Sequence, residues 1–247
     1  MARIQVCSVF IINKYLQKSV NMNRYFLVII ACAALFFAAC QETKEDAKTP
    51  LTEKDLYRSI GEEIPFETGM AWIDFHKQRE SSKGRLDSLP TCEVTAEKVK
   101  AMLSSVDNLV GVAFHYGIDD FGQSHILVIP VNESMELWSL VPNRIMLDAN
   151  TGLEINQDLA YSWAERFKTS NPSEIWYHFF GKKVFDEMSA LPYFERVDIE
   201  RATNSEEMSP ELLLVIWNEG QTSLGRTAAV YGTVYDASNA CPPCATI

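Results

Sequence analysis

The sequence predicts an α+β fold in which antiparallel β-hairpins pack against helices. Three observations predict it. Segments with apolar residues at helical spacing are interspersed with β-branched and aromatic runs of strand length. Two pairs of those runs are joined by short glycine-bearing loops, the signature of hairpins. A hydrophobic share of 47% with 11% aromatics is enough for the body of the chain to bury a core.

The elements follow in order. Residues 54–62 (KDLYRSIGE) read as a helix, and 66–80 continue helically with Met70, Ile73 and Phe75 among polar residues. Ser81 to Pro90 is a Ser/Gly/Pro-bearing loop. Thr95 is placed to cap a helix over 96–106, where Val99, Met102, Leu103 and Val106 recur at i, i+3, i+4, i+7. Strands are expected at 109–117 and 124–131. The intervening IDDFG forms a three-residue hairpin loop with Gly122 in the bulge.

The stretch 144–152 (RIMLDANTG) reads as a strand ending in a turn. Asn156 or Asp158 then caps a helix to about Ser170, with Leu159, Trp163 and Phe167 on one stripe. Asn171-Pro172 breaks it. A further helix is expected over 174–189, where Trp176, Phe180, Val184 and Met188 recur at spacing four. A strand at 194–200 precedes a second hairpin, 211–219 and 227–235, over TSLG.

The two hairpins align without a gap at an offset of 103: Val112 on Val215, Gly117 on Gly220, Gly122 on Gly225. The same offset lays 55–62 on 158–165. This pattern is that of a duplicated helix–helix–hairpin unit, 55–132 and 158–235. It is equally what two unrelated hairpins show when their turns need positive φ, which glycine tolerates best. Residues 54–247 form a single α+β domain on either reading.

Ahead of that domain, Phe26 to Ala39 carries no charge and is mostly Phe, Leu, Val, Ile and Ala. Such a run is shorter than the roughly 20 residues that span a bilayer core. It suits the apolar centre of a signal peptide, with Arg24 as the positive flank and Met22 as a natural start. The run stops at Phe37-Ala38-Ala39-Cys40. That end resembles the lipobox of bacterial lipoprotein precursors, in which an apolar residue and two small ones precede a cysteine. The family usually has Leu where Phe37 stands. The resemblance implies removal of residues 1–39, a diacylglyceryl thioether on Cys40, and further acylation of the new N-terminus. Two or three chains then hold the protein to a bilayer where one is marginal. Residues 41–53 (QETKEDAKTPLTE) are polar and lack aromatics, so they read as a flexible tether. Location at the outer membrane, on its periplasmic face or at the cell surface, follows from the same resemblance.

Loss of the leader and its four Lys or Arg takes the net charge from −11 to about −15. A surface that negative repels phosphate backbones and excludes a nucleic-acid partner. Of six cysteines, Cys92, Cys241 and Cys244 remain as disulfide candidates beyond the inner membrane. The CPPC motif at 241–244 is followed by three residues, too few for the helix that activates a thioredoxin-type thiol.

His115 and His125 flank the first hairpin loop. With Gly122 in the bulge, His115 lies opposite Leu127 and His125 opposite Gly117, so both imidazoles share a face. The pair is the candidate metal site, with Asp119, Asp120 or a Glu as third ligand. DANTGLEIN, 148–156, alternates oxygen ligands as a calcium loop does, but its glycine falls at the fifth position, as in a tight turn. No P-loop, G-x-S-x-G or H-E-x-x-H occurs, so no cofactor is implied. The sequence reads as a lipid-anchored protein with a non-enzymatic binding or structural role toward a protein or glycan. The alternative is a metal-dependent hydrolase using His115, His125 and nearby acids.

Overall fold

A computed structural model describes residues 52–83, 92–218, 231–236 and 240–241. Cys40 and its lipobox, nearly all of the tether, the TSLG loop and Cys244 lie outside the described residues. The described elements are α1 (Glu53–Arg58), β1 (Glu62–Ile64), α2 (Phe66–Ser82), β2 (Cys92–Thr95) and α3 (Ala96–Ser104). They continue with β3 (Gly111–Ile118), β4 (Ser124–Val131), β5 (Leu147–Asp148), β6 (Leu153–Glu154) and α4 (Gln157–Ser170). The last are β7 (Tyr177–Gly181), α5 (Lys182–Ala190), β8 (Arg196–Thr203), β9 (Pro210–Asn218), β10 (Tyr231–Asp236) and β11 (Ala240–Cys241). The fold is α+β with two antiparallel sheets. One sheet has the order β1-β10-β9-β8-β2, the other β11-β7-β3-β4-β5-β6.

Strand alternation sorts the side chains into layers. Val112, Phe114 and Tyr116 of β3 join Val197 and Ile199 of β8 and Leu212, Leu214 and Ile216 of β9 in one central core between the sheets. The opposite parity, Ala113 on β3 with Leu127 and Ile129 on β4, packs under Ala160 and Ala164 of α4. On the other outer face, Leu213 and Val215 of β9 pack under Ile73 of α2. The result is a four-layer helix–sheet–sheet–helix stack. Helices α3 and α5 send Val99, Met102, Val184, Phe185 and Met188 into the central core.

Local signals explain most boundaries. Thr95 caps α3 by accepting from the Lys98 N–H, and Asn156 caps α4 by accepting from the Asp158 N–H. In the β3–β4 loop, Asp119 N–H donates to Gln123 O at 2.9 Å and Gly122 sits at φ +80°, the expected bulge. His115 pairs with Leu127 and Gly117 with His125, the expected register.

Three expectations are corrected. The stretch 174–189 is not one helix, because Tyr177–Gly181 is a strand that runs directly into α5. All five strand residues are buried, on both faces, and such a run carries no alternation to separate it from a helix. The buried stripe of α4 is Ala160, Ala164 and Phe167, with Leu159 left 42% exposed. The stretch 144–152 contributes only the two-residue β5 before its turn.

The internal correspondence also runs differently from the offset of 103. That alignment sets Val215 opposite Thr233, as Val112 is opposite Pro130; the structure sets Val215 opposite Val234, a one-residue shift. The topology instead matches β2–α3–β3–β4 to β7–α5–β8–β9. Helices α3 and α5 are nine residues each, starting 86 residues apart at Ala96 and Lys182. Strands β3 and β8 have eight residues each. The first strand of each set pairs with the other set's hairpin: β2 with β8, and β7 with β3. Helix α2 correspondingly packs on β8 and α4 on β3.

Gly181 lies where this exchange is tightest. A Cβ there would overlap the carbonyls of Tyr57 and Arg58, while its N–H donates to Ile60 O at 2.8 Å. Around Gly122 nothing lies within 4 Å of a Cβ, so only its positive φ resists substitution. Gly181→Ala is therefore expected to destabilise by about 3 kcal/mol through overpacking, and Gly122→Ala by only about 1 kcal/mol through left-handed strain. Urea unfolding of the two variants checks the order.

Candidate functional site

The largest opening among those described is a cleft of about 660 Å³ that enters the stack between the two sheets. Strand β3 supplies Tyr116 and Ile118, β7 supplies His178, β8 supplies Arg201 and Ala202, and Pro210 and Glu211 open β9. Helix α2 brings His76 and Glu80, and the end of α4 with the segment after it brings Phe167, Asn171 and Ser173.

Arg201 continues the inward-facing series Val197, Ile199 on β8. An arginine thus stands where alternation calls for an apolar side chain. Its guanidinium carbon lies 4.7 Å from the centre of the Tyr116 ring, a cation–π contact worth about 0.5–2 kcal/mol. His178 meets the same tyrosine edge-on at 5.9 Å. It is 1% exposed, and its Nδ1 has no hydrogen-bond partner among the described residues. Burial, with the Arg201 guanidinium adding to it, pushes the His178 imidazole down to about 3, so the ring is neutral.

The acids at the cleft are not equivalent. Glu80 pairs with Lys83 at 2.6 Å, which holds its carboxyl below the usual range. Burial raises Glu211, although the Ser209 hydroxyl donates to it at 2.5 Å. His76 Nδ1 meets Thr203 Oγ1 at 3.0 Å.

The expected metal pair does share a face, but each ring has its own partners. His115 Nδ1 lies 2.7 Å from Tyr116 O; a carbonyl only accepts, so Nδ1 carries the proton. The ring stacks on Tyr177 at 5.6 Å and meets Trp138 edge-on, and burial pushes it down to about 4. His125 donates from Nδ1 to Asp148 at 3.1 Å, with Asp119 3.6 Å from Nε2 and the Trp163 ring at 4.3 Å. Burial opposes ionisation of Asp119. The N–H groups of Gln123 and Phe121, with His125, still hold its carboxyl below the usual range. Among the described residues no three His, Cys, Asp or Glu side chains are grouped to hold a metal.

The oxygens of DANTG are engaged by their own turn and by neighbouring elements. Asp148 also accepts from Asn150 N–H and the Thr151 hydroxyl, and Asn150 binds Ser124 O and Ile126 N–H. Cys92 is buried beside this turn, its thiol donating to Asn150 Oδ1 at 3.2 Å. Burial, with the Asp148 charge, pushes that thiol up to about 12, which suppresses thiolate chemistry. The backbone of Cys241 pairs with Tyr177.

Sequence reasoning missed Arg201 and His178. Arg201 was legible as the charged break in Val197-x-Ile199-x-Arg201. His178 was hidden by the helical reading of its strand. No protein-family model, curated protein or solved structure matches the chain. No helix among the described residues is long and apolar enough to cross a membrane.

The two buried histidines make stability depend on pH. Their unfolded-state pKa is near 6.5; below it the unfolded chain takes up protons that the folded rings refuse, so stability falls as pH drops toward about 4 and 3. The buried carboxyls Glu200 and Glu211, raised by burial, act in the opposite direction. The His178 share is isolated by comparison with His178→Phe. Between about pH 7.5 and about pH 5, wild type is expected to lose about 2 kcal/mol more than the variant, read from urea unfolding at each pH.

Proposed function

We propose that the chain is an outer-membrane lipoprotein of the cell envelope that binds a small ligand in the cleft between its sheets, without a chemical step. The observation that carries the binding reading is the cleft of about 660 Å³ itself, which the core-facing polar residues His178 and Arg201 line together. The cleft volume lies within the usual range for small-molecule sites. The anchoring reading rests on the resemblance of Phe37-Ala38-Ala39-Cys40 to a lipobox and on the polar stretch behind it.

Cells fed labelled palmitate test the anchor. Wild type is expected to carry label and fractionate with the outer membrane. Cys40→Ala is expected to lose the label and accumulate as the longer precursor. A variant that still takes up label refutes the assignment of Cys40.

A further inference from the structure

We infer that the cleft opens to water, away from the bilayer that holds the anchor, and takes a water-borne molecule with an apolar portion rather than a membrane lipid. This rests on the readings of the anchor and of the cleft, and names where the ligand comes from.

The chain joins the folded body at Thr52 and α1, and α1 sits at one end of the β3–β4 pair. Lys54 and Arg58 reach Glu133, just past the end of β4, at 3.2 and 3.4 Å. The Arg58 carbonyl lies against Gly181, which pairs with Gly111 at the start of β3. The cleft opens at the other end, where Ile118 closes β3 and Ser124 begins β4. The eight residues of β3, at about 3.3 Å per step, hold those two ends roughly 23 Å apart.

The rim of the cleft suits water. Glu80, Glu174 and Glu211 line it together with Ser124, Asn171 and Ser173. Anionic headgroups repel such carboxylates, and the hydrocarbon beneath excludes their charge. Surfaces that lie on a bilayer carry Lys and Arg around their apolar face instead. Arg201, the arginine of this lining, is stacked on Tyr116 at 4.7 Å. Phe121 stands 88% exposed at the neighbouring hairpin tip, but Asp119 and Asp120 precede it, so that projection is acidic as well. Behind the rim, Tyr116, Phe167 and Ile175 form apolar wall. A polar mouth over an apolar wall fits a dissolved molecule that sheds part of its hydration as it enters.

The test uses the full lipidated chain in vesicles of phosphatidylethanolamine and phosphatidylglycerol, doped with lipid spin-labelled at its headgroup. Cys241 and Cys244 are replaced by Ser, and Cys92 is buried. A fluorophore is attached through Leu56→Cys on α1 or Ser173→Cys at the cleft rim, both exposed positions. Flotation with the vesicles reads attachment, and loss of emission reads contact with the lipid surface. The label at Leu56→Cys is expected to lose emission and the label at Ser173→Cys to keep it. Wild type purified in a non-ionic detergent is expected to release no phospholipid or fatty acid beyond the chains bonded to Cys40.

Loss of emission at Ser173→Cys equal to or above that at Leu56→Cys overturns the inference. Phospholipid or fatty acid held non-covalently by wild type in stoichiometric amount overturns it too, and that measurement needs no variant to fold. Full emission from both labels on floating vesicles supports it, because the cleft then stands clear of the lipid. A chain that fails to float overturns the anchor and this inference with it, but leaves the cleft a ligand site.

Discussion

Coverage of both sheets on both faces is the constraint on which the rest of the structure depends. A strand in an ordinary half-exposed sheet alternates apolar and polar residues; here β3, β4 and β9 are buried on either parity, because the second sheet lies on one side and a helix on the other. Polar groups in such a layer must be paired or must serve a purpose. Most are paired. Asp198 accepts from the Trp217 indole at 2.6 Å, Thr233 meets Tyr193 at 2.9 Å, and Asp148 collects its own turn. His178 Nδ1 and the Trp163 and Trp176 indole N–H groups are among those without a hydrogen-bond partner among the described residues.

The same constraint decides the electrostatics of the cleft. Removing water from around Arg201, His178 and Tyr116 lowers the local dielectric and strengthens every charge interaction there. Neutral His178 is a consequence: proximity to the guanidinium and burial both disfavour the imidazolium. At the surface the opposite holds. Ion pairs such as Lys54–Glu133, with both side chains more than 40% exposed, contribute about 0–1 kcal/mol and position little.

What the sequence revealed divides along the same line. The loop and register of the β3–β4 hairpin were legible, since a glycine at positive φ fixes the loop and the loop fixes the register that sets His115 opposite Leu127. The caps Thr95 and Asn156 were legible because capping is local chemistry. Strand β7 was not: Tyr-His-Phe-Phe-Gly is apolar toward both layers, and period carries no signal where both faces are dry. The true internal correspondence was hidden for a related reason. Glycines aligned β3–β4 with β9–β10, whereas the match to β8–β9 lies in topology and strand length. The cleft was not legible in the sequence, because its residues converge from seven elements and a connecting segment.

The exchange of first strands ties the cleft to the stability of the whole. Strand β2 reaches its place only beside β8, and β7 only beside β3, so neither set of elements completes its sheet alone. Such pairings are distant in the chain, and their loop-closure entropy must be met before the contacts form. The two sets therefore fold as one cooperative unit. The cleft draws Tyr116 from one set and His178, Arg201 and Glu211 from the other, so its walls come together only in the assembled fold.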